Sequence, residues 1–186
     1  MQLISITPRL RRQIGSSLIE VLVAVLILSL GMLALGGMLS YAVQLPKLAG
    51  YRASAMTIAA GHIDRMRANT AGYIAGGYTT ASTSYNAVLP VVTQCVYPLC
   101  QPADIATLDK DETNRALRRE LPGNSAGIFL SCTGICSLLE GSLWVVWDVP
   151  STVSALNASA SDECPPGLTG AITSSPPRCL LIRFKL

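Results

Sequence analysis

"RRQIGSSLIEVLVAVLILSLGMLALGG", residues Arg11–Gly37, decides how the rest of the chain is read. Arginines open it, a glycine and two serines follow, and an acid, Glu20, stands at the edge of an apolar run. From Val21 to Pro46 there are 26 consecutive residues without a charge. About 20 apolar residues suffice to cross a bilayer, so the run predicts a membrane-spanning helix. The flank ahead of Glu20 carries Arg9, Arg11 and Arg12 and no acid. By the positive-inside rule that end stays in the cytoplasm and the remainder is exported. "LALGGMLSYA", residues 33–42, also imitates the cleavage region of an ordinary secretory signal, and that reading stays open.

Outward from the run, residues 1–15 are short, basic and interrupted by Pro8. From Ser16 to about Asn69 the pattern predicts one long helix in two halves. The first half is apolar on all sides, as a helix in lipid should be. In the second half Leu48, Tyr51, Ala55, Ile58, His62 and Met66 recur at spacings of three and four. Lys47, Ser54, Thr57, Asp64 and Arg65 lie mostly off that stripe, so one face should rest on a folded domain. Some 55 residues at ~1.5 Å rise make roughly 80 Å, so half the helix should stand outside the bilayer. Gly31, Gly36, Gly37 and Pro46 each weaken a helix. They suit either close helix packing through small residues or a segment able to bend or unwind. Gly72 is the expected stop.

Residues 70–94, including "AGYIAGGYTTASTSYNA", read as a loop-rich connection with a short strand around Val88–Val92. "PADIATLDKDETNRALRREL", residues 102–121, predicts a second helix with Pro102 in its first turn. Its acids Asp104, Asp109, Asp111 and Glu112 gather early and Arg115, Arg118 and Arg119 late, which favours the helix dipole. The three arginines share a face, read here mainly as solvated. "AGIFLSC" and "SLWVVWDV" are strand-like, with "CTGIC" as a pinched turn between them, and Trp144 and Trp147 on opposite faces. Residues 151–177 form a Ser/Thr/Pro/Gly loop. In "RCLLIRFKL" Leu180, Ile182, Phe184 and Leu186 point one way and Arg183 and Lys185 the other. The expected architecture is α+β, a long helix packed across an antiparallel sheet.

Composition narrows the function. The chain has 14 basic and 11 acidic residues; without the three leader arginines, 11 basic residues face 11 acids. No basic tract remains to suggest nucleic acid as a partner. Cys95, Cys100, Cys132, Cys136, Cys164 and Cys179 all lie in the exported part. An even count in an oxidising compartment predicts disulfides. The zinc alternative is weaker, because the spacings include no C-x2-C and no histidine is near. Many pairings are open; the nearest-neighbour set, 95–100, 132–136 and 164–179, is the simplest. His62 is the only histidine, which removes most triad and His-metal schemes, and its place beside the apolar stripe suits packing. Asp109, Asp111 and Glu112 lack the spacing of a calcium loop. "NAS" at Asn157 matches a glycosylation acceptor, a pattern that recurs by chance. No catalytic residue, metal or cofactor is expected, and the protein is expected not to be an enzyme.

Glu20 then needs a reason. A charged side chain costs ~2.5–3.5 kcal/mol at the bilayer centre and less near the interface. At a helix N-terminus the dipole returns ~0.3–1 kcal/mol, so Glu20 could simply flank the helix. A cut after Gly15 would supply more, an α-amino group on Ser16, one helical turn from Glu20. The two charges could pair within a chain or between neighbours.

With those residues in view, "G-SSLIE-VLVAVLILSLGMLALGG" resembles the class III signal of type IV pilins and type II secretion pseudopilins. The resemblance implies a prepilin-peptidase cut between Gly15 and Ser16, N-methylation at Ser16, and Glu20 as the fifth mature residue. Ser16 departs from the family, where Phe is usual. "MTIAAGHIDRMRANTAGY" resembles the end of the first helix in PilV-type minor pilins, and "ADIATLD…LRRELPGNSAGI" and "LWVVWDV" resemble later segments, although a tryptophan common in the second segment is absent. The implied fold is type IV pilin-like, with a protruding hydrophobic half-helix and a C-terminal antiparallel β-sheet domain. Its divisions would be a leader at 1–15, a transmembrane and assembly half-helix at 16–46, and a periplasmic globular domain at 47–186. The implied function is that of a minor pilin in a priming or tip complex for pilus biogenesis, anchored in the inner membrane before joining the pilus. Implied partners are prepilin peptidase and, through the N-terminal helix, other minor pilins and the major pilin. The alternatives are a minor pseudopilin and, less well matched, a membrane-anchored exported adhesin.

Overall fold

The computed structural model describes residues 17–80, 88–89, 91, 95–96, 98–123, 125–132, 136–149, 162, 164–165, 168 and 177–186. They form three helices, α1 (Leu18–Ala68), α2 (Thr70–Ile74) and α3 (Pro102–Glu120), and three strands, β1 (Gly127–Cys132), β2 (Glu140–Trp147) and β3 (Arg178–Lys185). The chain divides into two compact units, one ending at Val43 and the other running from Gln44 to Leu186.

In the first unit α1 is apolar around its whole circumference. Its side chains are solvent-facing, with Leu18 78% and Leu33 74% exposed. The helix continues unbroken through Gly31, Gly36, Gly37 and Pro46. A Cβ added at any of the three glycines would meet nothing within 4 Å, so within this chain they serve no close packing. Of the two readings, neither close packing nor unwinding is realised in the single chain.

In the second unit α1 becomes one-sided. Ala55, Ala59, His62, Ile63 and Met66 are buried. Leu48, Tyr51 and Ile58 pack partly against the same core. Ala55, Ala59 and Met66 are fully buried and belong to one core cluster with the inward residues of the sheet.

Asn69, not Gly72, ends the helix. Its amide still bonds back to Arg65 (3.0 Å) and Met66 (3.2 Å). Its backbone then leaves helical geometry, at φ −121° and ψ 57°. The Asn69 side chain accepts from the Gly72 amide at 3.2 Å, which starts α2. Its Nδ2 donates to the Pro102 carbonyl at 2.8 Å and the Tyr78 hydroxyl at 3.1 Å. Gly72 lies inside α2, where a Cβ would come within 2.5 Å of Asn69 Nδ2 and 2.6 Å of the Pro102 carbonyl. The glycine is there for close approach, and the left-handed turn falls at Gly76, with φ +76°.

α3 spans the predicted range. Asp104 Oδ2 accepts from the Gln101 amide at 3.2 Å, returning a hydrogen bond to the residue ahead of the helix. The arginine face does more than meet solvent. Arg115 donates to Asp111 at 2.6 Å, and Arg118 donates to the Ala126 carbonyl at 3.0 Å, tying the end of α3 to the start of β1. Asn114 adds a second tie by accepting from the Ile128 amide at 3.0 Å.

The sheet is antiparallel in the order β1-β2-β3. Phe129 faces Trp144 and Leu143 faces Ile182 in register. Ile128, Leu130, Leu143, Val145, Trp147, Leu180, Ile182 and Phe184 turn to the helices and form the main core with Ala55, Ala59, Met66 and Leu117. The outer face carries a smaller cluster of Phe129, Val146 and Cys179, against which Trp144 and Leu168 pack. The two tryptophans lie on opposite faces, as the alternation predicts. Gly141 leaves room for Tyr73, since a Cβ there would meet the Tyr73 hydroxyl at 2.6 Å. That hydroxyl donates to the Glu140 carbonyl at 2.9 Å.

The strand expected around Val88–Val92 is absent at its described residues; Val88, Leu89 and Val91 are outside any strand, and Pro90 and Val92 lie outside the described set. The segment meets β1 earlier, at Thr80. Its amide donates to the Leu130 carbonyl at 3.2 Å, and its hydroxyl accepts from the Leu130 amide at 2.8 Å. One threonine thus supplies both partners that a strand edge offers.

The six cysteines pair as Cys95–Cys100, Cys132–Cys136 and Cys164–Cys179, with Cα separations of 5.1, 5.0 and 5.1 Å. These are the nearest-neighbour pairs, at separations a disulfide can bridge. Cys132–Cys136 closes the β1–β2 connection, which continues as a 3₁₀ turn over Cys136–Leu138. Leu139 then adopts φ 57°, a left-handed conformation uncommon for a residue with a branched side chain. Its two backbone bonds, to the Cys136 carbonyl (3.1 Å) and from the Leu186 amide (2.8 Å), hold it there. Cys164–Cys179 ties the β2–β3 connection to β3. Asp162 adds to this by accepting from Arg52 at 2.9 Å, Arg178 at 3.4 Å and the Cys179 amide at 3.2 Å.

Candidate functional site

The candidate site is the start of α1. Gly15 and Ser16, the expected cleavage pair and the expected methylation position, lie outside the described residues. The helix begins just beyond them. The Ser17 carbonyl accepts from the amides of Glu20 (2.9 Å) and Val21 (3.3 Å), so Glu20 occupies the first turn. An acid in that position is stabilised by the unbonded amides and the positive end of the helix dipole. Glu20 is solvent-facing, and charge-free side chains follow it. An 18-residue window of α1 has a mean hydropathy of 2.7, and none of it is buried within the chain. By length and composition a helix of this kind can cross a membrane.

The folded domain has a second polar centre, which the sequence pattern did not reveal. His62 is 1% exposed. Its Nδ1 lies 2.8 Å from the Thr113 hydroxyl, which itself donates to the Asp109 carbonyl at 2.7 Å. Thr113 has one proton to give, so His62 Nδ1–H is the donor and Nε2 carries the lone pair. Nε2 is buried without a hydrogen-bond partner among the described residues. Burial, with Arg65 and Lys110 nearby, pushes the imidazole down to about 4. Tyr78 stacks edge-on to His62 at 5.7 Å and donates to Asp109 at 2.5 Å. Burial first, then the bond to Asp109, raises the Tyr78 hydroxyl above its ordinary range. Arg65 bonds Glu112 and lies 3.6 Å from Asp109. These groups join α1 to α3. The available signal was Asp109, Thr113 and Asn69, polar residues on faces that helix packing must bury.

The arrangement is one of packing. Among the described residues no three His, Cys, Asp or Glu side chains are grouped to hold a metal ion, and all six cysteines are in disulfides. Asp111 is used by Arg115, while Asp109 accepts from Tyr78 and shares Arg65 with Glu112.

The model of the prokaryotic N-terminal methylation motif matches residues 10–36, a span that contains Gly15, Ser16, Glu20 and the first half of the apolar run. No curated protein and no solved structure gives a significant match to the chain. The motif, the apolar helix that begins within it and the small three-stranded α+β domain support a type IV pilin-like or pseudopilin protein. A motif of this class implies processing by prepilin peptidase and assembly with other pilin-type chains. It is consistent with anchoring in the inner membrane before assembly.

Proposed function

We propose that this chain is a minor pilin of a type IV pilus, of the PilV type, and a structural component with no enzymatic role. It waits in the inner membrane with its N-terminus in the cytoplasm and its domain in the periplasm. After cleavage between Gly15 and Ser16 it joins a priming or tip complex that promotes pilus assembly. The observation that carries the reading is the methylation motif over residues 10–36, with Glu20 in the first turn of a helix that stays uncharged to Pro46. The new α-amino group of Ser16 would pair with Glu20 of the same chain or of a neighbour, which removes two charges from lipid and sets the register of one helix on another.

Glu20→Ala tests this role. The variant should be cleaved as the parent is, shown by the intact mass of a chain beginning at Ser16, yet enter pili or pilin complexes poorly. Normal incorporation would remove Glu20 from the mechanism. A mature chain that begins beyond Leu39 would support an ordinary secretory signal instead. Deletion separates pilus from secretion system. Loss of pili and twitching is expected; loss of secreted enzymes with pili intact would favour a pseudopilin.

A further inference from the structure

β3 is an edge strand, and its outer side is only partly closed. The Leu186 amide donates back toward β2, to the Leu139 carbonyl, whereas the Cys179 amide donates away from β2, to Asp162. Amides alternate sides along an antiparallel strand. Leu181, Arg183 and Lys185 therefore share the outward side with Cys179. Asp162 satisfies only Cys179; the outward amides of Leu181, Arg183 and Lys185 have no hydrogen-bond partner among the described residues. Beside this open edge runs a cleft of about 390 Å³, bounded by α1 at Ile63, Asp64 and Arg67 and by β3 at Arg183, Phe184 and Lys185.

The cleft has two kinds of wall. Ile63 and Phe184 supply an apolar side continuous with the core. Arg67, Arg183 and Lys185 supply a cationic side. Arg67 and Lys185 have exposed ion pairs, with Asp64 and Glu140 at 2.8 Å each, of the kind that exchange readily. Arg183 has no ion pair among the described residues. We infer that the outer edge of β3 accepts an extended segment of another protein as a fourth strand, with acidic and apolar side chains alternating. Its backbone would take the three open amides. Its acids would lie beside Arg183 and Lys185, and its apolar residues beside Phe184 and Ile63. A lysine on an edge can instead repel strands; here the exposed pair of Lys185 with Glu140 can be exchanged for an acid of the incoming segment, which such a segment supplies. The inference uses only residues of the domain, so it stands apart from the reading of Gly15 and Glu20.

The experiment is amide hydrogen exchange on the full chain in detergent micelles, with a short blocked peptide of alternating Val and Glu as the probe and one of alternating Val and Lys as the control. The Val/Glu peptide should slow exchange at Leu181, Arg183 and Lys185 by about tenfold or more, and the Val/Lys peptide by far less. Amides that already face β2, such as Ile182, should not change. Arg183→Pro removes one outward donor and spares the β2 ladder, so it should weaken binding more than Arg183→Ala. Should the proline variant fold poorly, the double variant R183E/K185E decides the matter, because it should prefer the Val/Lys peptide. No slowing at millimolar peptide, equal slowing by both peptides, or an unchanged preference in R183E/K185E would each overturn the inference.

Discussion

α1 is a single helix in two environments. Between Leu18 and Val43 its apolar side chains are solvent-facing; between Gln44 and Ala68 it buries one stripe and leaves the rest wet. The composition differs accordingly. The first stretch keeps its side chains apolar in every direction, because a lipid or helical neighbour can lie on any side. The second alternates, because only one side meets the sheet. Apolar content alone therefore does not define a core. Leu33 is as hydrophobic as Leu143, yet one is 74% exposed and the other fully buried. What separates them is whether the chain itself supplies the surface that covers them.

This contrast can be broken most directly by truncating one side chain in each region. Trp147, 2% exposed in the main core, should cost roughly 3–5 kcal/mol of domain stability when replaced by alanine. Leu33→Ala should leave the melting of the detergent-solubilised domain unchanged and act only on assembly. Equal losses would mean that the two regions fold as one unit.

A smaller effect, also confined to the second region, should follow pH. The imidazole of His62 is held near 4 when folded against 6.5 when free. Protons therefore favour the unfolded chain between those values. Stability is full above about pH 6.5, falls as pH drops toward 4, and is flat below; the whole loss is about 3 kcal/mol. Denaturant midpoints measured across this range should show the slope, and His62→Gln should flatten it.

The disulfides come next. Removing Cys164–Cys179, which closes a separation of 15 residues, should cost about 3 kcal/mol, and removing Cys132–Cys136, with a separation of 4, about 2 kcal/mol. Paired Cys→Ser variants compared by chemical unfolding test the order. The reverse order would show that the pinched β1–β2 turn, with left-handed Leu139, matters more than the long connection.

Several elements were legible from the residues. The apolar run, the stripe from Leu48 to Met66, the charge order of α3 and the alternation in "RCLLIRFKL" are local patterns with one period each, and helix or strand follows from the period. The end of α1 near Asn69 was also legible, but the residue that stops it was not. Gly72 looks like a stop because glycine often is one, but its lack of a side chain serves the approach of Pro102, a residue far along the chain. The strand expected near Val88 is not formed at its described residues, and Thr80, eight residues earlier, meets the edge of β1. His62 was readable as buried, but its tautomer depends on Thr113 and Asp109, which come from another helix.

By itself the sequence determined which stretch of α1 is apolar on every side and which is one-sided, where the motif lies, and that the cysteines are even in number and suited to disulfides; the pairing itself came from the structure. Charge, hydropathy and period are properties of neighbouring residues, so no folded context is needed to read them. Only the tertiary structure decided that Asn69 links three segments, that His62 loses its proton to burial, and that the amides at 181, 183 and 185 face outward. Each of these depends on which distant atom lies within about 3 Å of a polar group. Distances of that kind exist only once the helix has been laid on the sheet.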